Sequence, residues 1–217
     1  KPSIDDPIKY HQTNVNGTLN MLFACVKARV RKFIFSSSSS VYGDAKIIPT
    51  TESSDLNPKS PYSLHKLIGE QYCKLFENLY GIRTISLRYF NVYGERQPLS
   101  GAYSLVMGIF ANQILQNKPL TINGDGEQRR DFVYVGDVVD ANILSLSLEK
   151  NDENIFNIGS GINFSVIELA DLLDENSTRI NNAPLIEPRE TLADISRAKN
   201  ILKWRPRTEL KDWVKIY

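Results

Sequence analysis

Cysteine and histidine are scarce in the 217 residues, with two of each. Cys25 and Cys73 share no CxxC spacing and fall among apolar residues of helical pattern. That favours reduced, buried thiols over a disulfide framework. His11 and His65 are too few for a zinc site built on imidazoles, and the cysteines lack metal-like spacing. Charge is not in excess either: 26 Lys and Arg stand against 25 Asp and Glu, leaving +1. With no basic stripe and no acidic tail, the balance argues against bulk nucleic-acid or membrane-surface binding as the main task. A compact basic pocket is compatible with the same total. No apolar run reaches the ~18–20 residues that span a bilayer. The start, Lys1-Pro2-Ser3, lacks the apolar core of a signal peptide. The expected compartment is the cytoplasm.

What is present suits a globular chain of one domain, or one domain plus a lobe. Hydrophobic residues make up 41%, enough for a substantial core at this length. Residues 6–29 read as a helix with Leu19, Leu22, Phe23 and Val26 on one face and Gly17 open to close packing. Lys32-Phe33-Ile34-Phe35 is a buried-strand pattern that runs into five serines. Ser60-Pro61 opens a second helix, with Leu64, Ile68, Tyr72, Leu75, Phe76 and Leu79 on one side, and Gly81 ends it. Residues 82–90 form another strand. Helix, strand, helix, strand at these spacings predicts βαβ units and a parallel sheet. Beyond Gly94 the pattern becomes mixed. Helices are expected at 103–116, from Asp137 to 148 and at 166–173, the last with a Ser165/Glu168 capping box. Strands are expected at 120–122, 131–135 and 154–158, and Asp194 and Thr208 are expected to cap two short helices. This half reads as a smaller α/β lobe.

Chemistry is suggested at three places. Tyr62 and Lys66 are four residues apart on a helix, so phenol and ammonium share a face. A phenol of pKa near ~10 is a poor base at neutral pH, and a nearby cation favours its ionised form. Surface helix pairs of this kind are common, and Tyr42 and Lys46 repeat the spacing in a loop. The helical setting favours Tyr62. The serines Ser36 to Ser40 follow a strand end, where open α/β sheets bind ligands. A hydroxyl there can bridge a substrate oxygen and Tyr62; a flexible linker is the competing reading. Arg129-Arg130-Asp131 follows a Gly-rich turn and offers a guanidinium for phosphate, against the plainer reading of a solvated arginine. Asn91 offers an amide at the same sheet edge.

The ordered set of segments is more specific than any one. It comprises Asn14-Val15-Asn16-Gly17-Thr18, the run from Phe35 to Gly43 with five serines, and Ser60-Pro61-Tyr62-Ser63-Leu64-His65-Lys66. It continues with Leu87 to Gly94 (LRYFNVYG), Gly124 to Phe132 (GDGEQRRDF) and Leu192-Ala193-Asp194. Together they resemble the extended short-chain dehydrogenase/reductase family, in its NAD-dependent sugar-nucleotide epimerase/dehydratase branch. The resemblance implies a Rossmann-like doubly wound α/β sheet, with the N-terminal strands missing, and a mixed α/β substrate lobe. Residues 1–94 would be the remainder of the NAD-binding domain, and 95–217 mainly the substrate lobe. No Gly-rich pyrophosphate loop precedes Tyr62, so the expectation is a piece or truncated form of a longer protein.

By the same resemblance Tyr62 would be the general base, Lys66 would hold the nicotinamide ribose, and Ser38 would bridge Tyr62 and the sugar. Ser36 and Phe90 would border NAD, and Thr13 and Asn14 would line its channel. Asn91, Thr121 and Arg130 would hold the uridine diphosphate, Arg130 on the phosphates. Arg189 resembles a second phosphate-binding arginine, at a shorter distance from Leu-Ala-Asp than in the family. Dehydratases of the branch carry Asp-Glu before Val-Tyr-Gly and decarboxylases a Glu; Ser39-Ser40 stand here. The implied activity is epimerisation at C4 of a UDP-hexose through a 4-keto sugar, with a small Thr191 leaving room for an N-acetyl group. UDP-glucuronate epimerisation is the alternative, as is another dehydratase or decarboxylase relative. A non-catalytic scaffold of the same fold is the reading from another class. Helices around 10–29 and 62–80 resemble those that pair in family homodimers. No nucleic-acid, membrane or metal partner is implied.

Overall fold

The computed structural model describes residues 2–101, 104–149, 153–183 and 188–216. Two short helices, α1 (Pro2–Asp5) and α2 (Pro7–His11), lead through a π-turn at Gln12–Asn16 into α3 (Gly17–Lys27). The single helix expected over 6–29 is thus widened in the middle. The hydroxyls of Thr13 and Thr18 donate to the carbonyls of Lys9 and Asn14, drawing on acceptors that the helical ladder would otherwise use. Gly17 is not a packing contact: a Cβ there would meet only Gln12 O at 4.0 Å.

The main sheet is parallel. β1 (Lys32–Ser38) pairs in register with β2 (Arg83–Tyr89), from Lys32↔Arg83 to Ser38↔Tyr89. β6 (Ile155–Ile158) adds to the other side of β2. Between β1 and β2 the chain runs through α4 (Pro61–Tyr80). Alternate residues of β1 serve opposite faces. Phe35 meets α4, while Ile34 packs with Val138 and Ala141 of α6 (Val135–Ser147). A Cβ on Gly69 would lie 2.3 Å from the Phe35 ring, so α4 can approach the sheet this closely only with glycine there. Lys32 Nζ donates to the carbonyls of Ser145, Leu146 and Leu148, closing the C-terminal end of α6.

Two smaller sheets form the rest. β3 (Asn91–Tyr93) runs parallel to β5 (Arg129–Tyr134), which pairs antiparallel with β7 (Asn163–Ser165). β4 (Leu120–Asn123) pairs with β8 (Arg179–Asn182). α5 (Val106–Leu115), α7 (Val166–Asp174) and α8 (Leu210–Ile216) pack with them around Phe110, Leu120, Phe132, Leu169 and Trp213. The Ser165/Glu168 capping box forms as expected. Asp137 does not cap α6: Tyr134 holds that place, and Asp137 is buried in the first turn, accepting the Thr208 N–H at 3.1 Å. Thr208 likewise precedes α8 rather than capping it, since Glu209 O accepts the first helical bonds. The expected start of α5 at Tyr103 lies outside the described residues.

α4 departs most from its periodicity. Its ends are as read: Ser60 and Ser63 form a capping box around Pro61, and Gly81 closes it at φ 70°. The face it buries, however, is Ser63, Gly69, Glu70, Cys73 and Phe76. Most of the aliphatic stripe chosen from the sequence points outward, with Leu64, Leu75 and Leu79 all exposed.

Glu77 joins the end of α4 to β2. Its Oε1 accepts from Arg83 at 2.7 Å, and its Oε2 accepts from the Thr84 hydroxyl at 3.1 Å and Asn154 at 3.2 Å. Burial works to raise this carboxyl, but the donors outweigh it and hold it below the usual 4.5. The folded state therefore favours the ionised form. The resulting stability is present above the unfolded pKa and is lost as pH falls through the lower folded value. Glu77→Gln should cost about 1–3 kcal/mol near neutral pH, and the gap should close in acid. Urea unfolding over a pH series measures both.

Candidate functional site

A cleft of about 560 Å³ opens where the C-terminal ends of β1 and β2 meet the second lobe. Parallel strands end together, so their last residues and the following loops converge at one edge. Ser38, Tyr62, Phe90, Asn91, Arg130 and Thr191 all line it. Arg130 is 7% exposed and is the sole charged side chain among the described lining residues; none of those is Asp or Glu.

The five serines divide their work. Ser36 O accepts from Lys66 Nζ at 2.8 Å, and its hydroxyl lies 3.3 Å from that of Tyr89. Ser37 turns inward and donates to Glu70. Ser38 stands near enough to the Tyr62 phenol to favour its ionised form, and its hydroxyl accepts the Ser40 N–H at 3.2 Å. Ser39 and Ser40 begin a short 3-10 turn and line the cleft. The run is therefore strand, cap and turn, and not a linker.

Burial raises the Tyr62 phenol above its usual 10.0, and the Ser38 hydroxyl works against that rise. Burial also lowers the Lys66 ammonium. The expected pull of Lys66 on the phenol does not appear among the causes. The geometry gives the reason: Nζ lies 5.6 Å from the centroid of the Tyr62 ring and is directed at the strand carbonyl of Ser36. An ammonium has three protons. The Ser36 carbonyl takes one, which leaves donor capacity at the mouth of the sheet.

The competing Tyr42–Lys46 pair dissolves. Lys46 pairs with Asp55 at the surface at 3.8 Å. Tyr42 is buried, donates to Asn157 at 2.6 Å and accepts from Arg88 at 2.8 Å. Burial pushes its phenol up to about 12. Behind the cleft, Arg88 makes a bidentate pair with Glu70, at 2.9 and 2.7 Å. Both are almost fully buried. Sequence reading passed over this pair, although an arginine within the strand Arg83–Tyr89, directly after Leu87, was a visible signal.

Asp131 was also missed as a hub. Its carboxylate accepts the backbone N–H of Ser160, Gly161 and Ala193 and the Ser160 hydroxyl. The segment before Ala193 is tied to β5 as well, through Thr191 N to Arg129 O at 3.0 Å and Arg129 N to Arg189 O at 2.9 Å.

Other expected site residues lie apart from the cleft. Thr121, on β4, is bonded to the Gln113 side chain at 3.0 Å. Arg189 pairs with Asp125 at 2.7 Å on the surface. Thr13 and Asn14 occupy the π-turn that packs on α4. Ser36 and Lys66 sit beside the cleft, behind Phe35, whose ring centroid is 5.4 Å from Nζ. Among the described residues no group of three or more His, Cys, Asp or Glu could hold a metal. No helix among them is long and apolar enough to cross a membrane.

Comparison with known proteins gives the same picture. The profile of the NAD dependent epimerase/dehydratase family matches residues 1–159. A Methanocaldococcus jannaschii protein assigned as a UDP-glucose 4-epimerase is 42% identical over 98% of this chain and 70% of its own length. The crystal structure of UDP-glucose 4-epimerase from Thermotoga maritima with UDP-glucose superposes at a TM-score of 0.93 and 38% identity, over 99% of this chain and 71% of that one. UDP-N-acetylglucosamine 4-epimerase from Methanobrevibacter ruminantium, in complex with UDP-N-acetylmuramic acid, gives 0.91 and 33%, over 99% and 70%. The parallel α/β architecture is the Rossmann-like one of these structures, and the chain belongs to the NAD-dependent epimerase/dehydratase family.

Proposed function

We propose that this chain carries the substrate-binding and proton-transfer parts of a UDP-hexose 4-epimerase. The observation that carries the reading is the placing of Tyr62 beside Ser38 in a cleft lined by no carboxylate among the described residues. Elimination of water needs an acid and a base beside the sugar. Ser39 and Ser40 offer neither at neutral pH. Removal and return of hydrogen at one carbon needs a single base and a redox cofactor. When bound, NAD supplies the hydride acceptor and donor.

The residues present fit that cofactor at the sheet edge, where Lys66 has donors left for ribose hydroxyls and Ser36 and Phe90 stand alongside; Thr13 and Asn14 would line its channel. Tyr62 takes the C4 hydroxyl proton, with Ser38 passing it between sugar and phenol. Arg130 holds the diphosphate with Asn91 beside it. Thr121 and Arg189, whose side chains bond Gln113 and Asp125, would take outer roles on the uridine and phosphate. Thr191 is a small residue on the cleft wall, which leaves room for an N-acetyl group. A panel of UDP-glucose, UDP-N-acetylglucosamine and UDP-glucuronate tests the reading. Turnover of the first two is expected; turnover of UDP-glucose alone removes the N-acetyl assignment. Turnover of UDP-glucuronate alone selects the alternative, and no turnover of any selects the scaffold reading.

The protein is further proposed to pair as a homodimer through α3 and α4. The support is the set of exposed apolar side chains on these neighbouring helices, Met21 and Phe23 on α3 and Leu64, Leu75 and Leu79 on α4. Sedimentation velocity should give a dimer, and Leu64→Glu with Leu75→Glu should give a monomer.

A further inference from the structure

The first turn of α4 has an acceptor for each of its backbone donors, which a helix start does not provide by itself. Pro61 brings no N–H. Ser63 N–H is taken by Ser60 Oγ at 3.2 Å, and Leu64 N–H by Ser60 O at 3.0 Å. The Tyr62 N–H is the one held from elsewhere. Its acceptor is Ser3 Oγ, 3.1 Å away and 59 residues earlier in the chain. Ser3 is 3% exposed, lies in α1 and lines the cleft beside Tyr62.

We propose that Ser3 is a positioning residue for Tyr62, fixing the first turn of α4 from outside the helix so that the phenol meets Ser38. The proposal rests on the reading of Tyr62 as the base. Its logic is geometric. The capping box secures the residues on either side of Tyr62 but leaves Tyr62's own N–H to Ser3. Without that acceptor the part-buried donor loses its partner, and the turn relieves it by shifting toward the cleft. The phenol then moves with its own backbone. Small displacements of a reacting group cost rate far more than binding.

Ser3→Ala and Ser3→Thr in the full chain test this, by steady-state kinetics and by ultraviolet titration of the Tyr62 phenol, read as the difference from Tyr62→Phe. In Ser3→Ala, kcat should fall roughly tenfold with KM for the UDP-sugar within about twofold. The phenol should titrate at higher pH, because the Ser38 hydroxyl that opposes its rise is then farther off. Ser3→Thr should restore both. An unmoved titration overturns the proposal, whatever happens to the melting temperature. So does an unchanged kcat, or equal impairment of Ser3→Thr. Should the unaltered protein turn over no UDP-sugar, the base assignment falls, and the titration alone decides on Ser3.

Discussion

Tyr62→Phe is expected to lower kcat for the UDP-sugar roughly a thousandfold while leaving its Kd within about threefold. The substitution removes one oxygen and keeps the ring, so the cleft retains its shape. What it loses is the hydroxyl that faces Ser38 in the cleft. The cleft has no carboxylate among its described lining residues. Tyr10 and Tyr89 also line it, with the Tyr89 hydroxyl bonded to Asn142, and Tyr42, behind the cleft, is held protonated by burial with its pKa up at about 12. His65 follows Tyr62 by three residues, but it is buried against His11 with ring centroids 5.3 Å apart. Calorimetric titration with UDP-glucose beside a turnover assay separates binding from chemistry. A kcat within tenfold of the unaltered protein would remove Tyr62 from the mechanism.

The second large effect is on stability. Glu70→Gln is expected to cost about 3–5 kcal/mol, measured by chemical denaturation at neutral pH. Glu70 accepts both nitrogens of Arg88 and the Ser37 hydroxyl. Removing its charge leaves the guanidinium buried with only neutral acceptors, Tyr42 Oη and Glu52 O. An uncompensated buried cation is costlier than the absence of the pair. The double change Glu70→Leu with Arg88→Met should therefore recover part of the loss. A double variant less stable than Glu70→Gln would show that the network, and not the isolated charge, sets the cost.

These two residues mark what a single sequence does and does not disclose. That Tyr62, Ser38 and Asn91 share one cleft was legible because each lies at a strand end or just after a cap, and local pattern places those. The parallel pairing of β1 with β2 was legible for the same reason. Glu70 was not, because its importance depends on Arg88, 18 residues away on another element. β7 and β8 were missed as well: each is short, at three and four residues, and β8 is mostly exposed, so neither carries an apolar alternation. The outward stripe of α4 was misread because periodicity reports an apolar face without saying what covers it. The face that meets the sheet had to be small and polar, since Gly69 lies under Phe35 and Glu70 reaches Arg88. Thr121 and Arg189 were placed by analogy, and their side chains are committed to Gln113 and Asp125.

The Asp131 hub bears on how such a protein would choose among sugars. Its carboxylate grips Ala193, two residues from Thr191, and Thr191 is itself bonded to β5. The wall that carries Thr191 is therefore stitched to the sheet and cannot swing aside for a larger ligand. Volume added or removed at that position is not absorbed by motion; it becomes a fixed difference in the space offered to the sugar. On the proposed reading, selectivity in this cleft would be written in side-chain size, one residue at a time, and evolution could retune it without touching Tyr62 or Ser38.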